Sequence, residues 1–338
     1  MASILTNSSA LTALQNLAST NKSLAAIQNR ISTGLKVAGA SDNAAYWSIA
    51  TTMRSDNKAN SVVQDALGLG AGKVDTAYTA MNKAIEVVDK IKEKVLLAKS
   101  TDKEGRAKIQ SDIKNYVAQL KDNIAGANYA GTNLLTSSSA LDKGKAAETD
   151  DDGKVTTPAV PETNSLDIIT SYSRDASGKV MTGTISVNYS AARLIDTVSD
   201  DGATKKGILD GEGVASKTSI LGIDVTKVEA KDAQGTTAAA TTEAEEFGKL
   251  LTDIDAVLGS MTTAAAELGA AKSRIDMQKD FISSLSDSIE RGVGQLVDAD
   301  MNRESARLSA LQVQQQLGVQ ALSIANSSSQ SILSLFRG

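Results

Sequence analysis

The sequence predicts a mainly α-helical protein: a long antiparallel coiled-coil rod formed by both chain ends, with a small β-rich (α+β) domain inserted between them. Three observations predict it. Apolar residues recur at heptad spacing near both ends, and that period disappears in the middle, where Gly, Thr, Ser and Asp clusters punctuate short apolar runs. Aromatic residues make up only 3% of the chain, too few for an ordinary globular core but sufficient where helices pack along narrow seams.

The elements follow in chain order. Ala10, Leu14, Leu17, Asn21, Leu24, Gln28, Ile31 and Leu35 fall at alternating spacings of four and three. This is a heptad seam with polar Asn21 and Gln28 at two core positions, which fixes register at some cost in stability. A second seam runs Leu67, Ala71, Val74, Tyr78, Met81, Ile85, Val88, and a third, after Gly105, runs Ile109, Ile113, Tyr116, Leu120, Ile124. The longest comprises Ile254, Met261, Leu268, Ile275, Ile282, Ile289 and Leu296 at intervals of seven, a straight helix on the order of 60 Å long. A last amphipathic stretch from about Asn302 carries Leu308, Leu311, Leu317, Leu322 and Leu333. Its other face is rich in amides, namely Gln312, Gln314, Gln315, Gln316 and Gln320.

Between about 141 and 242 the segments 168–173, 180–189 and 220–225 read as β-strands. Residues 230–242 are low-complexity Ala and Thr, a loop or short capping segment. Two helical ends that share one rod require the chain to fold back, placing the insert at the rod's far end or side.

Composition removes most familiar chemistry. There is no His and no Cys among the 338 residues, so the usual zinc ligands, the thiol nucleophile and the commonest general base are missing. No catalytic residue, metal ligand or cofactor site is expected. The net charge of −5 offers no basic stripe for nucleic acid. No run of eighteen apolar residues would span a membrane, and residues 1–7 lack the basic and apolar regions of a secretory signal. On these grounds alone the chain reads as cytoplasmic.

Three motifs are tempting. Gly68-Leu-Gly-Ala-Gly72 has neither a preceding strand nor the full dinucleotide spacing, so a tightly packed or locally irregular helix is the better reading. Asp150-Asp-Asp-Gly153 lacks the bidentate Glu of a calcium loop and reads as a solvated turn. The acidic cluster at 243–246 follows Thr241 and Thr242, where acidic residues favour a helix start.

The segment NRISTGLKVAGASDNAAYWSIA at 29–50 resembles the signature after the first helix of bacterial flagellins, through Arg30, Ser32, Thr33, Gly34, Asp42, Ala44 and Ala45. At the other end Asp298-Ala-Asp300-Met resembles the family's turn before its final helix, and SILSLF at 331–336 its apolar end. The resemblance covers about 1–140 and 243–338 and is nearest the alphaproteobacterial, rhizobium-like branch. It implies a structural subunit, exported unfolded through the flagellar type III apparatus, that polymerises into an extracellular filament for swimming. This reverses the cytoplasmic reading. The implied partners are further copies of the chain, sibling flagellins, an export chaperone, the filament cap and hook-junction proteins. The implied divisions are an inner-tube domain of 1–42 with 299–338, a rod domain of 43–140 with 243–298, and a surface-exposed insert of 141–242. Within that scheme Gln312, Gln315, Gln316 and Gln320 either line the central channel or form a solvated or inter-subunit face.

Host receptors are expected to recognise the chain weakly or not at all. Asn43, Tyr46 and Trp47 depart from the residues usual in the plant-recognised flagellin peptide, and no arginine lies between Arg54 and Arg106. Lys90, Lys92 and Lys94 cannot reproduce a bidentate guanidinium contact. The competing readings are a hook–filament junction protein and a secreted coiled-coil adhesin.

Overall fold

The computed structural model describes residues 7–137, 148–149, 155–157, 165–175, 177–188, 190–197, 205–228 and 242–335, with backbone alone for 148–149, 155–157 and 328–335. Five helices carry the fold: α1 (Ser8–Thr33), α2 (Ala44–Lys99), α3 (Lys103–Ala125), α4 (Glu243–Val297) and α5 (Met301–Leu335). Helices α2 and α4 have 56 and 55 residues, each about 80 Å long at 1.5 Å per residue. Side chains define the starts. The Asp102 carboxylate accepts from the Gly105 N–H at 3.0 Å and caps α3, and Glu245 accepts from the Thr242 N–H at 2.7 Å, the return half of a capping box. The acidic cluster at 243–246 therefore serves a helix start.

The chain forms two compact units, Met1–Ala59 with Leu285–Gly338, and Asn60–Ser284; α2 and α4 contribute residues to both. In the Asn60–Ser284 unit the α4 heptad residues Ile254, Met261, Leu268, Ile275 and Ile282 are all buried. On α2 the predicted Leu67, Val74, Met81 and Val88 are buried too, but their companions are Gly70, Ala77 and Ala84. Ala71, Tyr78 and Ile85 stand half-buried against the margin of the core. In α3, Val117 takes the buried place expected for Tyr116, whose ring receives the Lys90 ammonium at 6.0 Å. The reason is steric. Small residues at every second contact let helix backbones approach, and the larger neighbour one position on covers the edge.

Arg106 joins three helices of this unit. Its Nε donates to the carbonyls of Ala98 and Thr101, both at 3.0 Å, tying the last turn of α2 to the turn that follows it. Its guanidinium pairs with Glu243 and lies 5.0 Å from the Phe247 ring centre.

Strands β1 (Thr136–Ser137) and β6 (Ile195–Asp196) pair in parallel, and β2 (Glu148–Thr149) and β3 (Val155–Thr157) antiparallel. The main hairpin is β4 (Ser165–Arg174) with β5 (Val180–Asn188), Ile168 opposite Ile185, with a register shift between Ile169 and Ser171. Two of the three predicted strands fall here, and Tyr189 lies outside the described residues. The third does not form: Ile220–Gly222 is one 3-10 turn. The buried Gln110 amide donates to the Ile223 carbonyl at 3.0 Å and accepts from the Val225 N–H at 2.9 Å. A helix side chain thus satisfies the backbone groups that a strand would offer a neighbour.

The hairpin docks on the glycine motif. A Cβ on Gly70 would lie 2.6 Å from Ile168 Cδ1, and one on Gly72 would lie 2.5 Å from Tyr129 Cζ. Gln278 of α4 donates to the Thr170 carbonyl at 2.9 Å. The glycines at 70 and 72 admit close neighbours, and α2 runs through them without a break. Asp253 of α4 anchors a second segment, accepting the N–H groups of Ala215 at 3.0 Å and Ser216 at 2.6 Å. Burial opposes its charge, but the bonds from Ser216 and from the neighbouring backbone amides outweigh it and hold the carboxyl below its ordinary range. Asp150-Asp-Asp-Gly153 and residues 230–241 lie outside the described residues.

Candidate functional site: the paired terminal helices

The residues of the two end signatures meet in the Met1–Ala59 with Leu285–Gly338 unit. Asn7 begins α1, its carboxamide oxygen accepting from the Ala10 N–H at 3.0 Å while its Nδ2 donates to the Ala325 carbonyl at 2.9 Å. Thr33 ends the helix with its hydroxyl on the Asn29 carbonyl at 2.8 Å. Gly34 follows at φ 72 and its N–H returns to the Arg30 carbonyl, the left-handed stop that glycine allows at least cost. The chain then crosses the end of α4: Lys36 and Val37 donate to the Val297 carbonyl at 2.7 and 3.2 Å, and Ala299 donates to Gly34 at 2.9 Å. Leu35 and Asp298 form the bridge between them.

Two carboxylates shape the loops on either side. Asp42 accepts the N–H groups of Ala38 and Gly39 at 3.0 and 3.1 Å, folding the loop tightly before Asn43 caps α2 through the Tyr46 N–H at 3.1 Å. Asp300 caps α5, accepting from Asn302 at 3.0 Å and Arg303 at 3.2 Å. Ser32, Ala44 and Ala45 are exposed beside these turns. Val37, Ala50, Val293 and Val297 are buried together, with Leu35, Ile289 and Leu296 packed against them.

Helices α1 and α5 lie antiparallel. Leu17 Cδ1 is 3.2 Å from where a Gly318 Cβ would be. Gln315 donates to Asn21 at 2.8 Å, and Arg30 approaches Glu304 at 3.9 Å. The contact face of α5 is Glu304, Leu308, Leu311, Gln315, Gly318, Leu322 and Ala325; that of α1 is Ala13, Leu17, Thr20, Leu24, Ile27 and Ile31. This corrects the predicted register by one residue at three places: Leu14, 55% exposed, Asn21 and Gln28 stand at or beyond the edge of the face, and Ala13, Thr20 and buried Ile27 take their positions. As in α2, the smaller neighbours Ala13 and Thr20 sit at the close approach. Gln315 is likewise separated from Gln312, Gln316 and Gln320, which remain exposed. The side chain of Leu333 and all of Phe336 lie outside the described residues.

The sequence reading missed Glu304. It is 7% exposed, and its Oε2 has no hydrogen-bond partner among the described residues. Extending the spacing back from Leu311 and Leu308 by four more residues would have reached it. Both helices also leave large apolar side chains in water: Leu11 and Leu14 on α1, and Val313, Leu317, Val319 and Ile324 on α5. Among the described residues no helix is long and apolar enough to cross a membrane, and no group of three or more His, Cys, Asp or Glu side chains could hold a metal ion.

A helical pair with its outward apolar positions uncovered defines a class of structural protein that packs against other chains. The comparisons with known proteins narrow that class. The bacterial flagellin N-terminal helical region matches residues 4–140, and the C-terminal helical region matches residues 251–336. A flagellin of Brucella melitensis is 52% identical over 338 residues, covering 100% of both chains. Flagellin A of Rhizobium meliloti is 42% identical and flagellin C 39%, again with 100% of both chains covered. The chain belongs to the flagellin family, the self-polymerising structural subunits of the extracellular bacterial flagellar filament.

Proposed function

We propose that this flagellin polymerises through the α1–α5 pair, with residues 1–42 and 299–338 forming the inner tube, 43–140 and 243–298 the rod around it, and 141–242 facing water. One observation carries the reading. Leu14 and Leu317, 55% and 57% exposed, sit on paired helices of one chain and need cover from neighbouring copies. Gln312, Gln316 and Gln320 form the uncharged hydrated wall of the central channel, and Gln315 serves the α1–α5 contact instead. The chain is delivered unfolded by the flagellar type III apparatus with a chaperone, and grows beneath a cap on hook-junction proteins, alongside sibling flagellins. Host flagellin receptors recognise it weakly: Tyr46 and Trp47 present exposed aromatic rings within the segment that resembles the plant-recognised peptide.

The test is seeded polymerisation of the purified chain, followed by electron microscopy. Leu14→Asp and Leu317→Asp should each abolish elongation while the monomer keeps its helical circular dichroism. Elongation at the wild-type rate refutes the assembly role of the pair. Gln312→Lys with Gln316→Lys should shorten filaments in cells without slowing polymerisation of purified subunits; full-length filaments in cells refute the channel assignment. A strain lacking the gene should lose filament mass, whereas intact filaments shed from hooks would mark a junction protein.

A further inference from the structure

We infer that Asp210 is a proton-binding site: a proton on its Oδ1 closes the turn 205–211 onto β6, and loss of that proton loosens it. Every group involved belongs to one chain, so the site operates in the monomer and does not depend on assembly.

The turn is laced to the strand by backbone and carboxylate bonds. Ile208 and Leu209 donate to the carbonyls of Arg193 and Leu194, both at 2.9 Å. The Lys206 N–H donates to Asp196 Oδ2 and the Asp196 N–H to Asp210 Oδ2, again both at 2.9 Å. Leu194, Asp196 and Leu209 are buried. Gly207 is buried with them, and its lack of a side chain makes the arrangement possible. Asp210 Oδ1 takes the place a Gly207 Cβ would fill, with the Leu194 carbonyl oxygen 2.7 Å and the Asp196 nitrogen 2.8 Å from that point. Two acceptors therefore converge with a single donor, and that donor is already given to Asp210 Oδ2. Oδ1 is buried and has no hydrogen-bond partner among the described residues. A bare carboxylate oxygen out of water beside a carbonyl is costly. A proton on Oδ1 supplies the absent donor, and the Leu194 oxygen, which accepts once from Leu209, has a second lone pair to receive it.

The surrounding charges agree. Burial first, and then the Asp196 carboxylate on β6, push the Asp210 carboxyl above its ordinary range, against the Asp196 N–H and the Lys205 ammonium, which favour the charged form. Of the other charged groups nearby, Arg193 donates its Nε to Ser137 at 2.7 Å, Asp253 of α4 accepts from Ala215 and Ser216, and Lys206 and Glu212 are exposed. A carboxyl raised in the closed turn contributes stability in full below the ordinary aspartate value of about 4, and that contribution is lost as pH rises through the raised value. Asp253, whose carboxyl is lowered, works with the opposite sign. Acid therefore tightens 205–211 while it frees Ala215 and Ser216.

The test is a carbon-13 carboxyl titration of the full chain, with Asp210→Asn identifying the Asp210 signal. Its midpoint should lie above those of the exposed aspartates. Amide exchange at Ile208 and Leu209, corrected for intrinsic rates, should be at least about threefold slower near pH of about 4 than at neutral pH. Asp210→Asn places an NH2 group where the proton sits and keeps an oxygen for the Asp196 N–H. It should hold the slow rate at neutral pH and lose the pH dependence. Ala215 and Ser216 should move the other way in both chains, which separates the site from general acid unfolding. A midpoint at or below the exposed aspartates, as a water bonded to Oδ1 would give, overturns the proton site. Faster exchange of Ile208 and Leu209 in Asp210→Asn at neutral pH overturns it as well. If that variant does not fold, the wild-type exchange profile decides: rates that rise on acidification refute the inference.

Discussion

Replacing the glycines of α2 one at a time by alanine separates helix propensity from packing. Alanine in a helix interior is favoured over glycine by about 1 kcal/mol. At Gly68 the added Cβ meets nothing within 4 Å, so Gly68→Ala should gain that full amount. At Gly70 the Cβ would stand 2.6, 2.8 and 2.9 Å from Cδ1, Cγ2 and Cγ1 of Ile168, well inside carbon contact distance. The two γ carbons cannot swing clear unless β4 moves, and β4 is held by Gln278 at the Thr170 carbonyl. Overpacking of this kind costs about 2–3 kcal/mol, so Gly70→Ala should lose about 1–2 kcal/mol net after its propensity gain. Gly72 meets only the outer part of the Tyr129 ring, which is 39% exposed and free to rotate outward; Gly72→Ala should stay near wild type. Urea unfolding of the monomer followed by circular dichroism gives the order Gly68→Ala, then wild type with Gly72→Ala, then Gly70→Ala. Adding Ile168→Ala to Gly70→Ala should recover at least about 1 kcal/mol in a double-mutant cycle. Equal midpoints for Gly70→Ala and Gly68→Ala would refute the claim that the hairpin rests on Gly70.

Two further outcomes follow from the same unit. Arg106→Met should lower unfolding stability by about 1–2 kcal/mol, because it removes the Nε bonds to the Ala98 and Thr101 carbonyls, with little added by the exposed Glu243; Arg106→Lys should rescue little, since an ammonium lacks the guanidinium fork. Asp253 has its carboxyl held below the ordinary range, so its hold on Ala215 and Ser216 is complete above pH of about 4 and is lost as pH falls through the lowered value. Amide exchange at those two residues, corrected for intrinsic rates, should speed up below that pH, and Asp253→Asn should show fast exchange already at neutral pH. Protection that does not change with pH in the wild-type chain would refute the carboxylate anchor.

The helical frame was legible in the sequence because a seven-residue period is a direct image of which side chains face inward. Ile254 to Ile282 illustrates it: each is large, apolar and buried. Reading for large apolar residues failed where the contact wanted small ones. The heptad pattern favours Leu14 and Tyr78 over Ala13 and Ala77, although α1 and α2 turn the smaller residue inward. The turns at Gly34 and Asp300 were visible as local chemistry, since a glycine stop and an aspartate cap act within a few residues. The contacts of Gln110, Asp253 and Arg106 were not, because their partners lie from 5 to 137 residues away and leave no periodic trace. The missing third strand has the same origin: Ile220 and Val225 have strand-forming side chains, but a glutamine from α3 captured their segment's backbone.

The antiparallel pairing of α1 with α5 also sets a timetable. Asn7 reaches Ala325 across 318 positions of sequence, so the contact order of this pair is close to the greatest the chain allows, and long-range closure is slow. A polypeptide that emerges N-terminus first presents α1 long before its partner exists. A helix in a protein draws most of its stability from tertiary packing of its apolar face, and the 26-residue α1 has no such support until α5 arrives. The first element to appear is therefore the last to be secured, and its folding is gated by arrival of the final segment. A subunit truncated before Met301 would keep the three-helix core of the Asn60–Ser284 unit yet leave its own beginning permanently unlatched.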